Sequence, residues 1–145
     1  MNHTFALLCS ACMIALAIGC QSNDTAASAP QPQVQEISIL KLDSLLEALP
    51  NAIVLDVRSD EEWAAGHLAD AAYISFDWDH RLEPLKALPA DRPVLVYCEA
   101  GGRSGVITEE LRIIGHPYIV DLIGGMEAWG EAGRPLAFGE PVALP

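Results

Sequence analysis

The stretch on which the reading of this chain turns is Val94–Gly105, "VLVYCEAGGRSG". Val94 to Tyr97 form an apolar run with no polar alternation, the pattern of a strand covered on both faces. The run ends in Cys98 and passes through Glu99, Ala100, Gly101 and Gly102 to Arg103 and Ser104. Side chains are nearly absent from the middle of this loop, so successive peptide N–H groups can turn inward and form a nest for an anion. The spacing in "SGVITEELRIIG" predicts a helix starting near Ser104 and closed by Gly115, with the positive end of its dipole facing the loop. A free thiol is mostly protonated at neutral pH, whereas the thiolate is the nucleophile. Loop amides and helix dipole together favour the thiolate of Cys98 without a histidine base.

Outward from this stretch, apolar and polar segments alternate as βα units do. "EISIL" from Glu36 predicts a short strand, and "KLDSLLEALP" a helix with Leu42, Leu45, Leu46 and Leu49 on one face, stopped at Pro50. "AIVLDVR" predicts a buried strand. "SDEEWAAGH" opens on a capping serine and acids and ends at Gly66, as a short helix should. "AAYISF" predicts another strand, "DHRLEPLKALP" a weak helix broken by Pro84, "PYIVDLIGG" a further strand and turn, and "MEAWGEAG" a last short helix. The expected class is therefore α/β: a doubly wound sandwich with a central, mostly parallel five-stranded sheet and helices on both faces. In such sheets chemistry gathers outside the carboxyl ends of the strands, where Cys98 lies.

The chain has 145 residues and a formal charge of −12, with 8 Lys and Arg against 20 Asp and Glu. This length suits one ordinary domain, and so acidic a balance excludes nucleic acid as a partner, because no basic stripe can displace its counterions. Met1 to Gln21 contains no Lys, Arg, Asp or Glu, and its apolar core, Phe5 to Ile18, fits a secretory signal peptide better than a membrane span. The ending "LAIGC" resembles the lipobox of bacterial lipoproteins, although only the amino terminus and His3 supply positive charge and Ala17 stands where Leu is favoured. The resemblance implies a signal peptide over 1–19 and acylation of Cys20; the polar, proline-containing run that follows reads as a flexible tether over 20–35, ahead of a folded domain over 36–143. The location expected is the bacterial envelope, lipid-anchored and facing the periplasm; secretion after ordinary cleavage and an uncleaved signal anchor are the alternatives. With Cys9 and Cys12 removed and Cys20 acylated, Cys98 would be the lone thiol of an exported domain.

Three segments carry a further family likeness. "VLDVRSDEEWAAGHLADAAYI" (Val54–Ile74), "VLVYCEAGGRSG" and "LIGGMEAWGEAGRP" (Leu122–Pro135), in this order and spacing, resemble the rhodanese domain of sulfurtransferases. "GHLADAA" departs from the family, which usually has Pro and Gly after the histidine. The resemblance implies that Cys98 accepts a sulfane sulfur as a persulfide, cradled by Glu99, Ala100, Gly101, Gly102, Arg103 and Ser104. It implies a small donor such as thiosulfate, polysulfide or a persulfide, a thiol or cyanide as acceptor, or a protein as sulfur acceptor. No cofactor is expected. A non-catalytic sulfur carrier or protein-binding module is the second reading. Related cell-cycle phosphatases and arsenate reductases use CxxxxxR; the CxxxxR loop of Cys98 to Arg103 is one residue shorter and fits a single sulfur better than a tetrahedral oxyanion.

Other residues are weighed beside these. Arg103 has two readings, as a fork for an anionic donor or as a tie holding the loop through carbonyls and a carboxylate. Glu99, if it faces inward, disfavours thiosulfate and points to a thiol-bound or polysulfide sulfur. Ser104 reads first as the helix cap, and second as a hydroxyl that also reaches the sulfur. Asp56 and Arg58 resemble the family's structural pair, and His67 reads as a hydrogen-bonded turn residue. Trp63 and Trp129 read as core anchors, with Trp129 a candidate pocket wall. His80 and His116 lack partners at metal-ligand spacing, so no metal site is expected. Gly124 and Gly125 lack a dinucleotide fingerprint and read as a turn.

Overall fold

The computed structural model of the protein describes residues 31–77 and 79–144. The signal peptide, the acylation of Cys20 and the tether up to residue 30 that the sequence leads one to expect fall outside the described residues. Among those that are described, no helix is long and apolar enough to cross a membrane.

Five strands, β1 (Gln33–Ile37), β2 (Ile53–Asp56), β3 (Ala72–Tyr73), β4 (Val94–Tyr97) and β5 (Tyr118–Leu122), form one parallel sheet in the order β1-β5-β4-β2-β3. Helices α1 (Leu42–Ala48), α2 (Asp60–Ala64), α3 (Leu82–Lys86), α4 (Gly102–Ile114) and α5 (Gly125–Glu131) connect or follow the strands. This is the expected α/β class. The apolar runs of β2, β4 and β5 are explained by their central places, since side chains alternate across a strand and here both faces are covered. Leu95 and Tyr97 of β4 join a core with Trp63, Trp129, Leu42 and Leu122 on one face. Val94 and Val96, with Cys98 beyond the strand, join Leu85, Ile107 and Leu111 on the other. The alternation therefore sends the cysteine to the α4 side.

Three boundaries differ from the expectation. The first strand begins at Gln33, inside the segment 20–35 assigned to the tether, and ends at Ile37; Ile39–Lys41 form a 3-10 turn. β1 is an edge strand whose backbone pairs with β5 from Gln33↔Tyr118 to Ile37↔Leu122, while Gln33 to Glu36 stay exposed. A backbone ladder places no demand for apolar side chains on such an edge, so hydropathy gave no sign of it. "AAYISF" contributes only Ala72–Tyr73 to the ladder, prolonged by the Ile74 N–H donating to Asp56 O at 3.0 Å. Finally, α4 starts at Gly102, ahead of Ser104.

α2 is short but well started. Ser59 Oγ accepts from the Glu62 N–H at 3.3 Å, and Glu62 Oε2 accepts from the Ser59 N–H at 2.9 Å, a reciprocal capping box. Beyond α5 the chain crosses back over this region. Ala137 exchanges backbone hydrogen bonds with His67, and Trp63 Nε1 donates to Gly139 O at 3.0 Å. This crossing brings Leu136 against Gly66.

Candidate active site

Cys98 follows the last residue of β4 and is 1% exposed. Its Sγ accepts the Gly101 N–H at 3.1 Å. Gly101 has φ of 101°, a left-handed conformation that glycine adopts without strain, and it caps α4, its carbonyl accepting from the Gly105 N–H at 3.1 Å. The sulfur thus sits at the amino end of a 13-residue helix. Ser104 is not the cap that the sequence suggested. It is buried in the first turn of α4 and donates back to Gly101 O at 3.1 Å. The two glycines let the chain turn earlier than the side-chain signal indicated.

A second element clamps the loop from its carbonyl side. The Met126 N–H donates to Cys98 O and the Glu127 N–H to Glu99 O, both at 3.0 Å. Gly125 makes this approach feasible: at φ of 49° a Cβ there would lie 2.1 Å from Cys98 O. The glycine pair read as a turn is therefore also the contact surface for the cysteine loop.

Asp56 and Arg58 form a buried unit. Arg58 Nε donates to both Asp56 oxygens at 3.0 Å, and Nη2 donates to Asp56 Oδ2 at 2.8 Å and to Gly66 O at 2.7 Å. Nη1 reaches Glu99 Oε2 at 3.2 Å. Burial opposes the charge of Arg58, but Asp56 and then Glu99 outweigh it and raise its pKa. This one guanidinium joins the end of β2, the turn before His67 and the cysteine loop. Arg103, left open between two readings, gives both terminal nitrogens to Glu62, at 2.5 and 2.6 Å. That pairing, together with the Ser59 N–H and against desolvation, pulls the Glu62 carboxyl down to about 2.

Glu99 faces this arrangement, with its side chain 39% exposed. Beside it opens a pocket of about 410 Å³ lined by Arg58, Glu62, Glu99 and, on its apolar side, Ala65, Met126 and Leu136. Cys98 is the chain neighbour of Glu99 and is not itself part of this lining. His67 is a turn residue here: Nδ1 pairs with Leu68 O at 2.9 Å, and the ring stacks on Trp63 at 3.6 Å. Trp63 and Trp129 both belong to the core. Trp129 does not wall the pocket beside Glu99 but a separate depression with Leu42 and Arg134. Among the described residues, no cluster of three or more His, Cys, Asp or Glu could hold a metal ion.

Sequence reasoning missed Glu62, Gly125 and Asp121 as parts of this region. Glu62 carried a signal, the Ser-x-x-Glu spacing of a capping box. Asp121 on β5 is buried near Gly105, and burial raises its pKa although the Ser104 hydroxyl opposes this. Inside "YIVDL" it had no distinguishing mark.

A parallel sheet whose central strand leads into a cysteine, with the Gly101 amide on the sulfur and a helix start beside it, defines a loop-cysteine α/β protein. The chain belongs to the rhodanese-like domain family, whose model matches residues 38–132. A protein named sulfurtransferase from Allochromatium vinosum is 30% identical over 105 residues, covering 71% of this chain and 94% of its own. The putative sulfurtransferase YtwF of Bacillus subtilis is 31% identical over 103 residues, covering 71% and 97%. Among solved structures, a rhodanese-related protein from Thermoplasma volcanium superposes with a TM-score of 0.61 at 31% identity, over 72% of this chain and 99% of that one. Relatives bearing the sulfurtransferase name support membership of the rhodanese-type sulfurtransferase family.

Proposed function

We propose that this protein is a sulfurtransferase that carries sulfur as a persulfide on Cys98. One observation carries the reading: Cys98 Sγ, at the start of α4, accepts the Gly101 N–H at 3.1 Å, in a chain of the rhodanese-like family. An amide donor and the positive end of a helix dipole stabilise negative charge on sulfur, whether thiolate or persulfide. In the first step the Cys98 thiolate attacks the sulfane sulfur of a donor. A new S–S bond forms, the bond to the donor breaks, and the leaving group departs with the electron pair. In the second step the acceptor attacks the outer sulfur and Cys98 leaves as thiolate; with cyanide the product is thiocyanate. Neither step needs an external oxidant or reductant. Thiosulfate, polysulfides and persulfides are the donor classes, and a small thiol, cyanide or a protein the acceptor. Asp56, Arg58 and Glu62 act as positioning residues, holding the loop through Glu99 and Arg103.

The test is mass mapping of the Cys98 peptide after exposure to sulfane donors, together with thiocyanate formation from cyanide. Gain of one sulfur on Cys98 and turnover lost in Cys98→Ser are the expected results. Absence of any sulfur on Cys98 from every donor would refute the reading. Loading without turnover would instead identify a carrier that passes sulfur to a protein.

We also propose, on the "LAIGC" motif, that the chain is lipid-anchored through Cys20 on the periplasmic side of a bacterial membrane. Incorporation of labelled fatty acid that survives in Cys20→Ser would refute it.

A further inference from the structure

The charges around Cys98 suggest which donors the site favours, an inference that rests on the sulfur-transfer reading above. Three carboxylates, Asp56, Glu62 and Glu99, face two guanidinium groups, Arg58 and Arg103. Both cations are already engaged. Arg58 is the single cation in the pocket lining, is 3% exposed, and commits its donors to Asp56, Glu99 and Gly66 O. Arg103 has both terminal nitrogens on Glu62. An anionic donor entering here meets no uncommitted guanidinium fork. It meets the carboxylates of Glu62 and Glu99, the latter on the residue that follows Cys98 in the chain, and like charges repel.

Glu99 is the residue left with capacity. It makes one ion pair, through Oε2, and its side chain is 39% exposed at the pocket. Met126, Ala65 and Leu136 supply an apolar wall opposite, in a volume of about 410 Å³ that far exceeds a lone sulfur atom. We propose that this pocket selects its donor by charge, taking small organic persulfides that carry an ammonium group near the reacting sulfur and discriminating against anionic donors, with Glu99 as the specificity-determining residue. The alkyl part would lie on Leu136 and Met126 and the ammonium on Glu99. The chemistry is the first step above: Cys98–S⁻ attacks the terminal sulfur of R–S–SH, the new Cys98–S–SH bond forms, and RS⁻ leaves with the electrons of the broken S–S bond.

A matched pair of donors tests this: the persulfides of cysteamine and of 3-mercaptopropionate, which have the same two-carbon chain and end in an ammonium or a carboxylate. The full chain is mixed with each at low ionic strength, quenched, alkylated under denaturing conditions, and its Cys98 peptide followed by mass. We expect loading about tenfold faster from the cysteamine persulfide, the size of a modest screened charge effect. The ratio should shrink toward unity at about 1 M salt and narrow to about threefold or less in Glu99→Gln. Equal rates in the wild type, or faster loading from the carboxylate donor, would overturn the charge selection and leave sulfur transfer intact. No sulfur on Cys98 from either donor or from excess thiosulfate would overturn the sulfur-transfer reading and this inference with it.

Discussion

Arg103 grips Glu62 with both terminal guanidinium nitrogens and thereby fastens the first turn of the helix after Cys98 to α2. The carboxylate is in turn held by the Ser59 N–H, so the loop is braced through a capping box. Replacing Glu62 with Gln keeps much of the shape and removes the charge. Because the pair is about a third exposed, we expect a loss of no more than about 1 kcal/mol at neutral pH. The sign of its pH dependence is fixed by a folded-state value of about 2 against an ordinary 4.5. The contribution is complete above the ordinary value and fades as pH falls toward the lower one. Urea unfolding of wild type and variant should therefore differ at neutral pH and converge near about pH 2.

Arg58 is a sterner case. Its fork spans Asp56, Gly66 O and Glu99, with 4% of its side chain exposed, and a lysine ammonium cannot reach all of them. Arg58→Lys strands part of a buried charge network, and we expect a stability loss of about 3 kcal/mol or more by denaturant unfolding. Sulfur loading of Cys98 should fall in the same variant, because the tie to Glu99 is lost.

Gly125→Ala tests the clamp on the cysteine loop. An alanine Cβ would collide with backbone, Cys98 O at 2.1 Å and Glu99 O at 2.6 Å, where no side chain can swing aside. We expect a destabilisation of about 2 kcal/mol or more. In the surviving folded fraction, slower persulfide formation should follow from displacement of the loop; normal stability and normal loading would contradict the clamp.

Asp121 predicts the opposite sign of pH response. Burial raises its pKa above the ordinary 3.8, with Ser104 opposing and Glu36 adding to the rise. The folded state thus favours the protonated form, a contribution that is present below the ordinary value and lost as pH rises through the folded one. Asp121→Asn removes that dependence. Its melting temperature should exceed that of the wild type at neutral pH, and the difference should close as pH falls below the ordinary aspartate range.

The fold was legible wherever the signal was local. Unbroken apolar runs at Ile53–Leu55 and Val94–Tyr97 announce strands buried on both faces, and helical leucines with a terminal glycine or proline announce what lies between them. β1 was displaced by three residues because an edge strand satisfies itself through backbone pairing, which polar Gln33 and Gln35 permit without advertising. The placement of Ser104 erred because Gly101 and Gly102, which have no capping side chain, start α4 through backbone conformation alone.

Much of the site could be read from twelve consecutive letters, since a strand end, a run of side-chain-poor peptides and a helix start converge on one sulfur by covalent proximity. The partners of its charges could not. Arg58 meets Glu99, and Arg103 meets Glu62, each across 41 residues. Those meetings exist because β2 lies beside β4 in the sheet, which carries α2 to the cysteine loop. No spacing rule encodes which carboxylate a guanidinium will find after such packing, so the electrostatic character of the pocket emerges only once the layers are assembled.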